Sequence, residues 1–215
     1  RLMQASGLSI LVMTLAPQQA SAQFTWGGQF MPRTEYRHGY GKLLDTIQNP
    51  AGYVGQRARI EASYTYQKVR FHMSLQDVRT WGSTPQANAT DAFLSVHEAW
   101  TEVQLDTNWS LKLGRQELDY DNARFLGALD WALQGRSQDI ALVKYERSNF
   151  KLHVCLAYNA AGESLAGQPY AITNQYKVAQ MLWMERNWSN FKLSFLFWNN
   201  GLQYTNTDSL GELTA

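Results

Sequence analysis

From Gln23 onward the side chains alternate between apolar and polar with a period of two, and they do so in nine successive runs. A period of two places alternate residues on opposite faces of a β-strand, so each run predicts a strand with two unlike faces. In the first, Phe24, Trp26, Phe30 and Tyr36 oppose Thr25, Gln29, Arg33, Glu35 and Arg37. In the second, Val54, Ala58, Ile60, Ala62, Tyr64 and Tyr66 oppose Arg57, Arg59, Glu61, Ser63 and Thr65. In the third, Val69, Phe71, Met73 and Leu75 oppose Arg70, His72, Ser74 and Gln76. Six further runs fall near residues 98–105, 109–113, 139–147, 150–158, 176–186 and 191–197, and no long helical period competes with them.

The connections are as regular as the strands. Short turns fall near Gln67, Thr107, Ser148 and Ser189, while the alternate connections, roughly 38–53, 77–94, 120–138 and 159–175, are long. The turn flanks repeat in sequence: TNWSLKL at 107–113, SNFKLHV at 148–154 and SNFKLSF at 189–195. Hairpins stacked in order give an all-β, antiparallel up-and-down meander with tight turns at one end and long loops at the other.

A soluble sandwich and a transmembrane barrel both alternate, and the charged face separates them. Arg57, Arg59 and Glu61 on one strand are too many charges for a packed core, yet a water-filled lumen accepts them without burial cost. Strands of about ten residues suit a tilted bilayer span, and outer-membrane barrels pair short periplasmic turns with long extracellular loops. Trp109, Phe150 and Phe191, each just after a short turn, would then sit at the periplasmic interface. The apolar face would meet outer-membrane lipid. The alternative is a secreted all-β carbohydrate-binding or glycan-degrading protein.

Residues 1–22 differ from the rest. Arg1 precedes the apolar run Leu8–Leu15, and Ala20-Ser21-Ala22 forms an A-x-A site, the layout of a secretory signal peptide. Export with residues 23–215 as the folded part is the expectation. A net charge of +1 with interleaved signs gives no reason to expect nucleic acid. One cysteine, Cys155, forbids an internal disulfide, and four scattered histidines make a thiolate or imidazole metal site improbable. His72 and Cys155 read as wall residues, and neither a metal nor another cofactor is expected.

The densest chemistry lies in residues 113–139, LGRQELDYDNARFLGALDWALQGRSQD. Glu117, Asp119, Asp121 and Asp130 could supply a glycosidase carboxylate pair, though nothing in the sequence fixes their separation. Asp119, Asp121 and Asn122 could offer oxygen ligands to calcium, but EF-hand spacing is absent. A third reading is a loop at a pore mouth presenting Arg115, Arg124 and Arg136 to a passing anion, since guanidinium grips carboxylates through a fork of donors. The acidic residues between them would pair with Arg124 and Arg136.

The string Gly114-Arg115-Gln116-Glu117-Leu118, Tyr120, Arg124, Gly127, Asp130-Trp131, Gly135-Arg136 and Asp139 resembles the alginate-export family of outer-membrane porins, as do Glu98–Val103 and Asp77–Gly82. The resemblance implies an eighteen-stranded barrel passing anionic polysaccharide or related anionic solutes passively, with no chemical step, and leaves room for periplasmic export or uptake partners. Nine strands by Asn200 is half that number, so the chain reads as the N-terminal half of such a barrel.

Within that frame Arg33, Arg57, Arg59, Arg70 and Arg115 are the expected conduit residues, and Glu117, Arg124, Asp130 and Arg136 the expected pore-loop residues. Parity also turns Arg37, Lys112, Lys151, Lys177 and Lys192 inward, together with Glu35, Glu61, Glu98, Glu102 and Glu185, so pairing within the wall is the competing role for these charges. Two positions break the pattern. Pro32 predicts a bulge or boundary in the first strand. Arg115 shares parity with Leu111 and Leu113, so either the strand has left the membrane by Gly114 or a bulge turns Arg115 inward.

Overall fold

The computed structural model describes residues 23–39, 41, 49–87, 92–167, 172, 175–203, 206–207 and 213–214. The segment read as a signal peptide, residues 1–22, lies outside them. Nine strands form one sheet: β1 (Gln23–Arg37), β2 (Ala51–Tyr66), β3 (Val69–Thr80), β4 (Leu94–Gln104), β5 (Trp109–Gln116), β6 (Gln138–Arg147), β7 (Phe150–Tyr158), β8 (Val178–Asn187) and β9 (Lys192–Gly201). Each pairs antiparallel with its neighbours in chain order, giving the up-and-down meander that the alternation predicts. A separate two-stranded ribbon joins β10 (Asn206–Thr207) to β11 (Leu213–Thr214). No helix among the described residues is long and apolar enough to cross a membrane.

The two faces of the sheet are as different as their side chains. One carries Phe24, Trp26, Phe30, Ile60, Phe71, Leu113, Leu156, Phe195 and Phe197, all exposed. So large an exposed apolar surface is a liability in water and an asset in lipid. The other face buries Arg57, Arg59, His72, Ser74, Gln76, Ser110, His153 and Glu185. At the short-turn end, aromatics gather as an interface belt would require: Trp109 lies 4.9 Å from Tyr145, and Trp188 stacks on Phe191 at 4.5 Å. In the turn between β4 and β5, Asp106 accepts hydrogen bonds from the amides of Asn108 and Trp109, which holds its carboxyl below the ordinary value.

Pro32 makes no bulge. Its register with Gln56 is continuous with that of its neighbours. The one register shift in the sheet lies between β3 and β4: Ser74 faces Glu98 but Leu75 faces Val96, which leaves His97 as an extra residue. His97 is thereby turned onto the polar face, where it is buried.

That face is not polar throughout. Toward β6–β8 it carries Ile140, Leu142, Cys155, Ala157, Ala179, Met181 and Trp183, which form a dry cluster closed by Leu118 and Leu126 from the loop between β5 and β6. Residues 117–137 lie across this face and touch strands as far apart as β8, through Asp121, and β1, through Trp131. Seven strand spacings on a flat sheet would be about 34 Å, close to the limit of about 33–36 Å for ten fully extended residues. The intervening residues turn and bend instead of extending. The loop therefore reaches both strands because the sheet curls around it, as a segment of barrel wall does.

Candidate functional site

The site is built where this loop meets the wall. Its return half is fixed to β1–β3 by polar contacts. Arg57, fully buried, donates to the Asp130 carboxylate at 2.7 Å and lies 3.4 Å from the carbonyls of Ala132 and Leu133. Arg33 donates to the carbonyl of Trp131 and pairs with Glu35 at 2.6 Å. The Gln76 amide donates to the carbonyl of Gln134 at 2.8 Å, and its own carbonyl oxygen accepts from Arg59 at 2.9 Å.

The outgoing half is fixed by Glu117, Tyr120 and Asp121. Glu117 lies 2.7 Å from His97 Nε2 and 3.9 Å from Arg59. Tyr120 shares a 2.8 Å hydrogen bond with His153 Nδ1, and burial pushes its phenol above the usual range. The Trp183 indole donates to Asp121 at 3.2 Å. With Leu118 and Leu126 in the dry cluster, the loop has an apolar foot on β6–β8 and a charged foot on β1–β4.

Two glycines make this approach feasible, and both precede an arginine of the sequence motif. Gly114 has φ +117°, and a Cβ there would lie 2.3 Å from the carbonyl oxygen of Ala99 and 3.0 Å from Trp100 Cα. Gly135 has φ +66°, and a Cβ there would lie 2.8 Å from His97 Cε1. Neither backbone conformation suits a residue with a side chain.

The expected site residues therefore separate into groups. Arg33, Arg57, Arg59, Glu117 and Asp130 come together. Arg57 and Arg59 lie beneath the loop and are buried there. Arg70 stands apart with its guanidinium 5.3 Å over Trp100, whose ring also carries Lys112 at 3.8 Å and stacks on His72. Arg115 is on the opposite face: its register partner is Asp139, it pairs with that carboxylate at 2.8 Å, and it donates to the Val96 carbonyl. The bulge that could have turned Arg115 inward falls at His97 instead. Arg124 is exposed at the loop's bend. Arg136 donates to the carbonyls of Gly127 and Phe125 at 2.9 and 3.3 Å, bracing the loop from within.

The loop carboxylates thus do not pair with Arg124 and Arg136; Glu117, Asp121 and Asp130 reach across to the wall. Among the described residues no group of three or more His, Cys, Asp or Glu side chains is placed to hold a metal. Elsewhere on the wall charges pair locally, Lys144 with Glu102, and Lys151 and Lys192 with Glu185. His97 and Trp100 were not among the expected site residues. Trp100 carried a signal, an aromatic on the charged parity between Glu98 and Glu102; His97 carried none, because its orientation comes from the bulge.

An antiparallel meander, apolar on one face and charged on the other, with a long loop folded onto the charged face, is the wall of an outer-membrane β-barrel channel. Residues 24–157 match the family model described as Alginate export, and the chain belongs to that family. The family is one of outer-membrane transport proteins of Gram-negative bacteria. Comparison with the curated proteins returns no match.

Proposed function

We propose that this protein is a passive outer-membrane channel for anionic polysaccharide or smaller anionic solutes, with residues 117–137 narrowing its lumen. The observation that carries this reading is the loop's double attachment to the charged face, which leaves the opposite face free for lipid. In this account Arg33, Arg57 and Arg59 act mainly by holding the constriction in place. Cations left to bias passage include Arg70, Lys112, Arg124 and Arg136, none of which is ion-paired with a carboxylate among the described residues. A barrel closed by further strands, a cleaved leader at 1–22 and a periplasmic partner belong to the same proposal. A secreted glycan-binding protein would have no use for the exposed apolar band.

The test is the reversal potential of the purified protein in planar bilayers under a potassium chloride gradient. Anion selectivity is expected, and an Arg57→Glu, Arg59→Glu pair should reduce it by reversing two wall charges and loosening the loop. Cation selectivity of the unmodified channel would sink the proposal.

A further inference from the structure

The outer face of the sheet is not an even apolar band. Across β5, β6 and β7 one row of register partners reads Leu113, Ala141, Leu156, so a single methyl group stands between two exposed leucines. The two leucine strands are two strand spacings apart, about 9.5 Å, which leaves a trough above Ala141. This groove of about 460 Å³ is bordered by Leu113, Asp139, Ala141, Leu156 and Tyr158. It opens on the face assigned to lipid, where its apolar floor suits a hydrocarbon chain.

At the long-loop end the groove meets charge. Arg115 and Asp139 stand one step beyond Leu113 and Ala141 on the same face, and Tyr158 one step beyond Leu156. Arg115 donates through Nε to the Val96 carbonyl at 3.2 Å and through one Nη to Asp139 at 2.8 Å. Its other Nη has no partner among the described residues, and its side chain is 40% exposed. Lys177, just before β8, holds its ammonium 4.8 Å from the centre of the Tyr158 ring, which brings a second cation to the rim.

Charge on a lipid face is costly at the membrane midplane and nearly free at the interfaces, so this rim belongs at headgroup level. The long-loop end is the extracellular end of an outer-membrane barrel, which sets the rim in the outer leaflet. Lipid of that leaflet is a multiply acylated saccharide carrying phosphate groups. A guanidinium held by two bonds, with a donor to spare, is prepared to take a phosphate oxygen.

We infer that the groove and its rim form a binding site for one phosphorylated lipid of the outer leaflet, with an acyl chain over Ala141 and a headgroup phosphate on Arg115. The inference rests on the assignment of this face to lipid, and it gives a ligand to an arginine that lies outside the lumen. Asp139 orients Arg115 and also repels the phosphate, so it limits affinity while fixing geometry.

The experiment adds bisphosphorylated, hexa-acylated lipid A or phosphatidylcholine to the delipidated, detergent-purified protein and reads bound lipid by native mass spectrometry. Variants are Arg115→Gln, Arg115→Lys, Asp139→Asn and Ala141→Leu, each checked for folding by heat-modifiable gel mobility. The unmodified protein should prefer lipid A. Arg115→Gln should lower lipid A affinity about tenfold, the scale of a hydrogen bond to a charged group, and Arg115→Lys should recover part of that loss. Asp139→Asn should tighten lipid A binding, which a purely structural ion pair would not do. Ala141→Leu fills the trough without touching the rim and should weaken both lipids. Unchanged lipid A affinity in folded Arg115→Gln and Ala141→Leu, or equal affinity for the two lipids in the unmodified protein, overturns the site. Insertion of the same preparation into liposomes separates the two claims: a protein that inserts with unchanged affinities removes only the lipid site, whereas one that stays in the soluble fraction removes the membrane reading beneath it.

Discussion

Gly114 shows how much of the site depends on one missing Cβ. Its positive φ and its close approach to the backbone of β4 let β5 run into the loop without breaking register with Ala99 and Trp100. A methyl group 2.3 Å from a backbone oxygen has no side chain to push aside, so the strands themselves would have to separate. Gly114→Ala is expected to prevent assembly of the folded form, read as loss of the heat-modifiable band on a gel. Arg57 makes the complementary point about charge. It is fully buried, and its partner Asp130 is largely exposed, so the pair owes its value to geometry more than to a dry environment. Arg57→Ala should cost about 1–3 kcal/mol, as expected when partners of a charged hydrogen bond are left unsatisfied. It should also raise single-channel conductance by loosening the loop; unchanged conductance would mean that the loop does not constrict the pore.

At the scale of the element, the two faces of a strand answer to different solvents. On β9, Phe195 is exposed on the apolar face, and Ser194 lies on the inner one. Phe195→Arg should destabilise the protein in bilayers by about 2–4 kcal/mol if the residue lies near the membrane midplane. Ser194→Arg, directed at the lumen, should stay within about 0.5 kcal/mol. Equal costs in lipid-based unfolding titrations would contradict the assignment of faces. The loop between β5 and β6 follows neither rule, because it is held by an apolar foot and a charged foot together. Loss of either foot alone should loosen the loop without releasing it.

Across the whole molecule, the nine strands and their alternating short and long connections were legible in the sequence because both signals are local: a period of two and the spacing of turn residues. Pro32 misled because a missing donor need not shift the register: its pairing with Gln56 continues that of its neighbours. Arg115 was left open by its parity, and the register settled it by pairing Arg115 with Asp139 outside the lumen. The contacts of the site were not legible. Arg57 and Asp130 are 73 positions apart, and their meeting depends on the path of a loop that crosses the inner face. Nothing in the spacing of the carboxylates distinguishes Arg57 from Arg124 as a partner. The dry cluster was hidden for a related reason: Met181 and Trp183 look misplaced on a polar parity until Leu118 and Leu126 cover them.

The central claim is that one face of this sheet meets lipid and the other meets the water of a channel. Single cysteines at Ile60 and Glu61, neighbours on β2 that point to opposite faces, test it directly in a Cys155→Ser background. Outer membranes would be treated with a water-soluble, membrane-impermeant maleimide. Cysteine at position 61 should label readily and cysteine at position 60 should be protected; equal labelling, the reverse order, or recovery of the protein in the soluble fraction would contradict the account.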